Sequence, residues 1–153
     1  MHQIRRKDRE IDQKSIIEIL EKGQYGVLST VDAEGMPYGV PLTYIYEDYK
    51  IYFHCALEGH KLENIKQNPN VSFCVVGDTE VIPEQFSTKY ESVIVFGKIR
   101  EVSEEEKVEV LHKLLKQFSP DFMEKGKEYV KNGGHRAMGL CLDITCMTGK
   151  AKR

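Results

Sequence analysis

The sequence lacks any long apolar run. Its best stretch of this kind is Val93-Ile94-Val95-Phe96, whereas a helix that spans a bilayer needs about 20 apolar residues. The charged amino terminus is followed by Asp8, Arg9 and Glu10 rather than by an apolar signal region. These absences predict a cytoplasmic protein with no membrane partner.

Closely spaced cysteine pairs are also absent. The chain has four cysteines, none of them in a Cys-x-x-Cys arrangement, and most lie in apolar, strand-like stretches: Cys55, Cys74, Cys141 and Cys146. A free cysteine in such a stretch behaves as a small hydrophobic residue. We therefore expect neither a metal site nor a disulfide framework.

No stripe of basic residues and no linker interrupts the chain. The 22 lysines and arginines are nearly balanced by 24 acidic residues, giving a formal net charge of −2, and they are spread along the sequence. A length of 153 residues suffices for one substantial core but divides poorly into two. The sequence thus predicts a single domain over residues 1–153 that does not bind nucleic acid.

Apolar periodicity and turn residues predict a mainly β (α+β) fold. A first helix is expected over residues 12–22, and strands are expected over 26–31, 38–46, 51–54, 71–76, 92–102 and 138–144. Ser103 and Glu106 form a capping pattern for a later helix, whose predicted buried face is Val108, Leu111, Leu115 and Phe118. Most successive strands are close enough to pair antiparallel. We therefore predict a closed or nearly closed six-stranded β-barrel with short flanking helices, ending in a solvated tail.

The most informative segment spans residues 54–61, where a strand passes through small residues into a helix that begins near Gly59. The first turn of a helix has unpaired N–H groups and the positive end of the helix dipole, and Lys61 adds a charge. These features favour binding of a phosphate. Taken alone, the segment favours an ordinary helix start bearing solvated His60 and Lys61, and only the surrounding chain favours the phosphate.

A second feature is the proline inside the strand 38–46. Pro41 has no N–H to donate to a sheet, which indicates an edge strand or a bulge. The free backbone there, with the hydroxyl of Thr43, could meet a flat heteroaromatic ring. A plain edge strand without a ligand explains the proline as well.

Five motifs in order give the chain a family resemblance. They are Tyr25-Gly26-Val27-Leu28-Ser29-Thr30, Pro41-Leu42-Thr43-Tyr44, the segment 54–61, Asn68-Pro69-Asn70-Val71, and Tyr90-Glu91-Ser92-Val93-Ile94-Val95-Phe96-Gly97. Together they resemble the pyridoxamine 5'-phosphate oxidase-like flavoproteins, and within them the nitroimidazole-resistance (Nim) type, over roughly residues 4–150.

The resemblance implies a split β-barrel homodimer with one FMN in each of two clefts between subunits. By this analogy the residues that border the flavin ring are Val40, Pro41, Leu42 and Thr43. Those along the ribityl chain and phosphate are His54, Cys55 and Ala56, and those that hold the phosphate are Gly59, His60 and Lys61. Tyr90, Ser92 and Val93 are expected to reach the flavin of the other subunit.

The resemblance further implies an FMN-dependent oxidoreductase that passes electrons from NADH or NADPH to a small organic acceptor, such as a nitroaromatic compound. His54 is the one candidate catalytic residue, because the pKa of histidine lies near working pH, and Cys55 is assigned no chemistry. Vitamin B6 oxidation is not expected: the true oxidases hold their phosphorylated substrate with basic residues near the carboxyl terminus, whereas the tail here is only residues 147–153, in which Lys150 and Lys152 are the lysines that could serve a site. Two alternatives stay open: a non-catalytic flavin-binding or sensing protein, and a haem-binding barrel with His54, His60 or His135 as ligand.

Overall fold

The computed structural model describes residues 2–153. Its helices are α1 (Gln13–Lys22), α2 (His60–Gln67), α3 (Glu104–Phe118) and α4 (Met123–Gly133). Its strands are β1 (Tyr25–Val31), β2 (Pro37–Thr43), β3 (Ile45–Glu47), β4 (Lys50–Cys55), β5 (Asn70–Ile82), β6 (Ser87–Glu101) and β7 (Met138–Lys152). Of the helices in these residues, none has both the length and the apolarity that a bilayer crossing requires.

All seven strands form one antiparallel sheet in the order β2-β1-β5-β6-β7-β4-β3. The mainly β, antiparallel prediction is confirmed, but the closed six-stranded barrel is wrong. The predicted strand 38–46 is two strands that break at Tyr44, and in residues 2–153 no ladder pairs β2 with β3. Because these two edge strands are separated by a single residue, the sheet curls until its two edges meet at Tyr44.

Side-chain caps fix the starts of α1 and α3. The Asp12 carboxylate accepts a 2.8 Å hydrogen bond from the Ser15 N–H at the start of α1. The Ser103 hydroxyl accepts one of 3.2 Å from the Glu106 N–H at the start of α3, which confirms the predicted capping residue. Each cap satisfies one of the N–H groups that a helix start leaves unpaired.

The main core lies inside the curled sheet. There α1 inserts its buried face, Ile16, Ile19 and Leu20, among strand residues such as Phe73 and Leu142. Such burial of large apolar side chains is the dominant stabilising contribution in a domain of this size. The interior also holds the inward-facing side chains of β2.

A second cluster packs α3 on the opposite, outer face of β4 and β7. Val110 and Leu114 contact Tyr52 and Cys141 there. The predicted buried face of α3 is therefore partly wrong: Val108 is 44% exposed and Phe118 is 38% exposed. The side of α3 that carries Val110 faces the sheet, because the outer face of β4 and β7 covers that side of the helix.

The carboxyl-terminal segment is a strand and not a solvated tail. The last strand was predicted to end near residue 144, but β7 continues to Lys152. Lys150 pairs with Ser92 of β6, and Lys152 pairs with Tyr90. The ammonium of Lys152 also donates a hydrogen bond to the Ser87 hydroxyl. The end of the chain therefore belongs to the sheet.

Tyr44 holds the junction between β2 and β3. It is fully buried, its hydroxyl donates a 2.6 Å hydrogen bond to the Leu20 carbonyl, and burial raises the pKa of that hydroxyl. We expect Tyr44→Phe to lower the free energy of unfolding by about 1–3 kcal/mol, because the buried carbonyl loses its donor. Urea denaturation measures the change. Tyr49→Phe alters an exposed ring and should have no effect, so equal losses in both variants would refute this role for Tyr44.

Candidate functional site

The proline-containing strand β2 lies at an edge of the sheet, where it pairs with β1 on one side only. Val40 and Leu42 are half-buried and pack against the core, whereas Pro41 and Thr43 face outward and are exposed. The edge-strand alternative for Pro41 is thus confirmed, and Pro41 pairs in regular register with Val27. The side of β2 that faces away from β1 has no strand partner among residues 2–153.

The end of β4 brings the next predicted residues to the same part of the molecule. His54 faces outward opposite Gly139 of β7, while Cys55 is half-buried and contacts the main core. Burial raises the pKa of the Cys55 thiol, and the nearby positive charge of Lys61 opposes that shift. Cys55 is therefore a protonated, packed thiol beside the start of α2.

Helix α2 starts without a side-chain cap, because its N-cap residue is Gly59. Gly59 has a φ of +145°, which disfavours any other residue, and a Cβ placed there would meet no atom within 4 Å. The acidic residue of the first turn, Glu63, is 3.6 Å from the Lys66 ammonium. The start of α2 therefore combines unpaired N–H groups, open space and the charge of Lys61, which suits an anion.

A buried chain of hydrogen bonds ties α2 to the sheet. The Asn64 amide donates a 3.0 Å hydrogen bond to the Thr30 hydroxyl of β1, and that hydroxyl donates one of 3.4 Å to the Tyr38 carbonyl of β2. The Tyr38 ring in turn stacks on the His60 ring, with 3.9 Å between ring centroids. These contacts fix the start of α2 beside β2, so the two features that the sequence singled out separately are neighbours in the structure.

The three predicted residues of β6 fall into two groups. Ser92 and Tyr90 are half-buried, and the Tyr90 hydroxyl accepts a 3.4 Å hydrogen bond from the Arg9 guanidinium. Val93 points into the core with no exposed surface, and its backbone pairs with β5 and β7 on both sides. Its side chain cannot reach a ligand of another subunit, because the sheet itself stands between them.

The outer face of β2, β1, β5 and β6 carries an uncovered apolar row. Cross-strand neighbours across these four strands are Pro41, Val27, Cys74 and Ile94. Ile94 is 40% exposed, although it lies in the middle of a long strand. No helix of residues 2–153 packs on this row, whereas α3 covers the equivalent outer face of β4 and β7. A contiguous apolar surface of this kind marks an interaction site.

A cavity of about 710 Å³ opens beside the predicted residues Thr43 and His54. Its size is typical of small-molecule pockets. Most of its wall comes from α3, α4 and the turn Gly134–Arg136, through Leu111, Leu114, Leu115, Phe118, Tyr129 and Arg136. The sequence analysis did not assign these helix residues to the site. The available sequence signal is the glycine pair Gly133-Gly134, which is typical of a helix end and does not indicate a cavity wall.

His54 lies at the mouth of this cavity. Its ring keeps contact with solvent, but the surrounding protein removes part of its hydration and so lowers the pKa of the imidazole below its usual value. His54 is therefore neutral near neutral pH. A neutral imidazole offers one hydrogen-bond donor and one acceptor to a molecule in the cavity.

Comparison with known proteins identifies the family of this chain. A family model described as pyridoxamine 5'-phosphate oxidase matches residues 12–151. General stress protein 26 of Bacillus subtilis is 34% identical over 71 residues, which are 46% of this chain and 49% of that protein, so the match spans about half the length of the curated relative.

Solved structures share the fold over nearly the whole chain. A candidate 5-nitroimidazole antibiotic resistance protein from Bacteroides thetaiotaomicron is 24% identical with a TM-score of 0.75, covering 92% of this chain and 85% of its own. A FAD and haem binding protein from Mycobacterium smegmatis is 15% identical with a TM-score of 0.82, covering 95% and 74%. Since the family model matches most of the chain, this protein belongs to the pyridoxamine 5'-phosphate oxidase family.

Proposed function

We propose that this chain binds FMN, with the phosphate at the start of α2 and the flavin ring along β2. The observation that carries the proposal is the buried chain from Asn64 through Thr30 to Tyr38, which holds the uncapped helix start beside the free edge of β2. A phosphate needs N–H donors and positive charge, and a flavin ring needs backbone donors and acceptors at its rim. The two halves of the site offer these groups.

Individual residues take the roles that the family resemblance implies. Gly59, His60 and Lys61 would hold the phosphate, and the open space at Gly59 leaves room for its oxygens. His54, Cys55 and Ala56 would lie along the ribityl chain, and the ring would border residues 40–43 through the outward Pro41 and Thr43 and the local backbone. Val93 is left out of this set, because its side chain is in the core.

A homodimer would complete the site, in the form of a split barrel whose subunits meet through the uncovered apolar row. Burial of this row would remove exposed apolar surface from water, and a two-fold dimer would use it on both subunits. Ser92 is the cross-strand neighbour of Val76 in β5, and Val76 is 62% exposed. Ser92 and Tyr90 would then approach the flavin of the partner subunit.

The proposed activity is FMN-dependent reduction of a small organic acceptor by NADH or NADPH, with nitroaromatic compounds as one acceptor class. When bound, FMN supplies two-electron chemistry between the nicotinamide and the acceptor. The protein positions the acceptor in the cavity next to Thr43, and the apolar walls of that cavity exclude water. The neutral His54 orients the acceptor by hydrogen bonding.

Haem binding is a second candidate, because the cavity contains one neutral imidazole at its mouth. His54 is free of protein hydrogen bonds in residues 2–153, whereas His60 stacks on Tyr38 and His135 lies outside this cavity. The Mycobacterium smegmatis relative binds both FAD and haem by its name. Of the three histidines considered as haem ligands, His54 is the one that the cavity could use.

The absorbance spectrum of the purified protein separates these functions. We expect flavin bands, release of FMN rather than FAD on denaturation, and quenching of flavin fluorescence on titration of the flavin-free protein at one FMN per chain. A Soret band without flavin would support haem binding instead. A colourless protein that ignores added FMN would refute the flavin proposal.

Anaerobic mixing with NADH or NADPH tests the catalytic part. A reductase should lose its flavin absorbance and regain it when a nitroaromatic acceptor is added. A flavin that neither nicotinamide bleaches would support the non-catalytic, flavin-binding alternative.

A further inference from the structure

The cavity beside His54 has one permanently charged group in a largely apolar wall. Its helix side is formed mainly by leucines and aromatic rings, and none of the described residues that line it is acidic. The charged group is the guanidinium of Arg136, which lies against the backbone of Gly133: a Cβ on that glycine would be 3.4 Å from Nη2. The cavity therefore has positive character at one end and apolar surface along its length.

Arg136 has no carboxylate partner within residues 2–153. Arg6, Arg100 and Arg153 each form an ion pair with an acidic side chain, at 2.5, 2.8 and 3.0 Å respectively. Arg136 is exposed and lines the cavity, and its guanidinium has no ion-pair or hydrogen-bond partner among the described residues. This planar fork binds a carboxylate through two parallel hydrogen bonds.

The turn that carries Arg136 is anchored from behind by a buried lysine. The Lys107 ammonium donates a 3.1 Å hydrogen bond to the Ala137 carbonyl and lies 2.8 Å from Glu104, and only 7% of its side chain is exposed. The Ala137 N–H closes the turn with a 3.2 Å hydrogen bond to the Gly134 carbonyl. These bonds fix the backbone of the turn that carries Arg136.

We propose that the cavity selects planar, apolar molecules that carry a carboxylate, with the carboxylate on Arg136 and the ring against Leu115 and Phe118. One part of this inference rests on the proposed function, namely that such a molecule would be the electron acceptor. This part follows because Thr43 lines the cavity and also belongs to β2, the strand proposed to border the flavin ring. Carboxylate selection itself follows from the unpaired guanidinium and the apolar walls alone.

Calorimetric titration with para-nitrobenzoate and with its methyl ester tests the proposal. The two probes share the nitroaromatic ring and differ in the charge that Arg136 would bind. We expect the carboxylate to bind at least about tenfold more tightly than the ester, and Arg136→Gln to weaken the carboxylate by about 10- to 100-fold, the range for a lost charge-assisted pair. Affinity for the ester should stay the same, which also shows that the cavity remains intact.

Two further variants sharpen the result. Arg136→Lys keeps the charge but loses the fork, so it should recover only part of the affinity. His135→Gln changes the adjacent basic residue, which lines a different cavity, and should bind both probes normally. Equal affinity for carboxylate and ester, or an Arg136→Gln variant with unchanged affinity, would overturn the inference.

A parallel FMN titration of the same proteins separates this inference from the proposed function. Carboxylate selection without FMN binding would refute only the flavin proposal. FMN binding without any dependence of carboxylate affinity on Arg136 would refute only the inference drawn here.

Discussion

Lys61→Ala is expected to weaken FMN binding by about 10- to 100-fold. The lysine lies in the first turn of α2, where the N-cap glycine offers no side chain to the unpaired N–H groups. A hydrogen bond between an ammonium and a phosphate contributes about 1.5–3 kcal/mol, which corresponds to this change in Kd. Quenching of flavin fluorescence on titration of the flavin-free protein measures it.

Lys66→Ala is the matched control for this experiment. Lys66 lies in the last turn of the same helix, is largely exposed, and pairs only with Glu63. Its loss removes the same charge from the protein, and a surface pair of this kind contributes little to stability. A Kd that changes equally in both variants would show a general effect of charge and would contradict a specific role for Lys61. Lys61→Arg should keep most of the affinity.

Most segments of the candidate site could be singled out from the sequence, because their residues lie in short stretches with local signals. The helix start at Gly59 follows from glycine and the charge nearby, and the edge position of β2 follows from Pro41. Each of these signals depends only on a few neighbouring residues. What joins the segments, the Asn64–Thr30 hydrogen bond, was not predictable, because nothing local shows that a polar residue of α2 will meet a hydroxyl of β1.

The cavity wall could not be predicted for a similar reason. Its position depends on which side of α3 faces the sheet, and apolar residues occur on several sides of that helix. Val110, Leu111 and Leu114 all belong to or pack against the cluster on the sheet, whereas Leu111, Leu114 and Leu115 line the cavity. The helix periodicity indicates an apolar face but does not show which of its residues will meet the sheet and which will stay open.

The break at Tyr44 shows the limit of strand patterns. Residues 38–46 form a continuous strand-like run in the sequence, and the break does not alter that pattern. It arises because the sheet curls and the run changes its partner from β1 to β4, which is a property of the whole sheet. The extension of β7 to Lys152 has a similar origin, since it depends on the matching length of β6.

Ile94→Glu is expected to convert the proposed homodimer into monomers and to abolish FMN binding at micromolar protein. Ile94 is the β6 member of the uncovered row, and its cross-strand neighbours are Cys74 and Thr148. A two-fold interface would bury the new carboxylate twice, and each buried, unpaired charge costs several kcal/mol. The single chain should still fold, because Ile94 lies outside the core.

Val108→Glu makes the same change at a residue of similar exposure on α3, 44% against 40% for Ile94, away from the apolar row. This variant should leave both the mass of the assembled protein in solution and its affinity for FMN unchanged. Light scattering gives the mass, and flavin fluorescence gives the affinity of the same sample.

A monomeric Ile94→Glu variant that binds FMN normally would mean that one subunit forms a complete site. A variant that stays dimeric would place the interface on another face. Loss of both properties together, with Val108→Glu unaffected, is the result that a flavin site shared between two subunits requires.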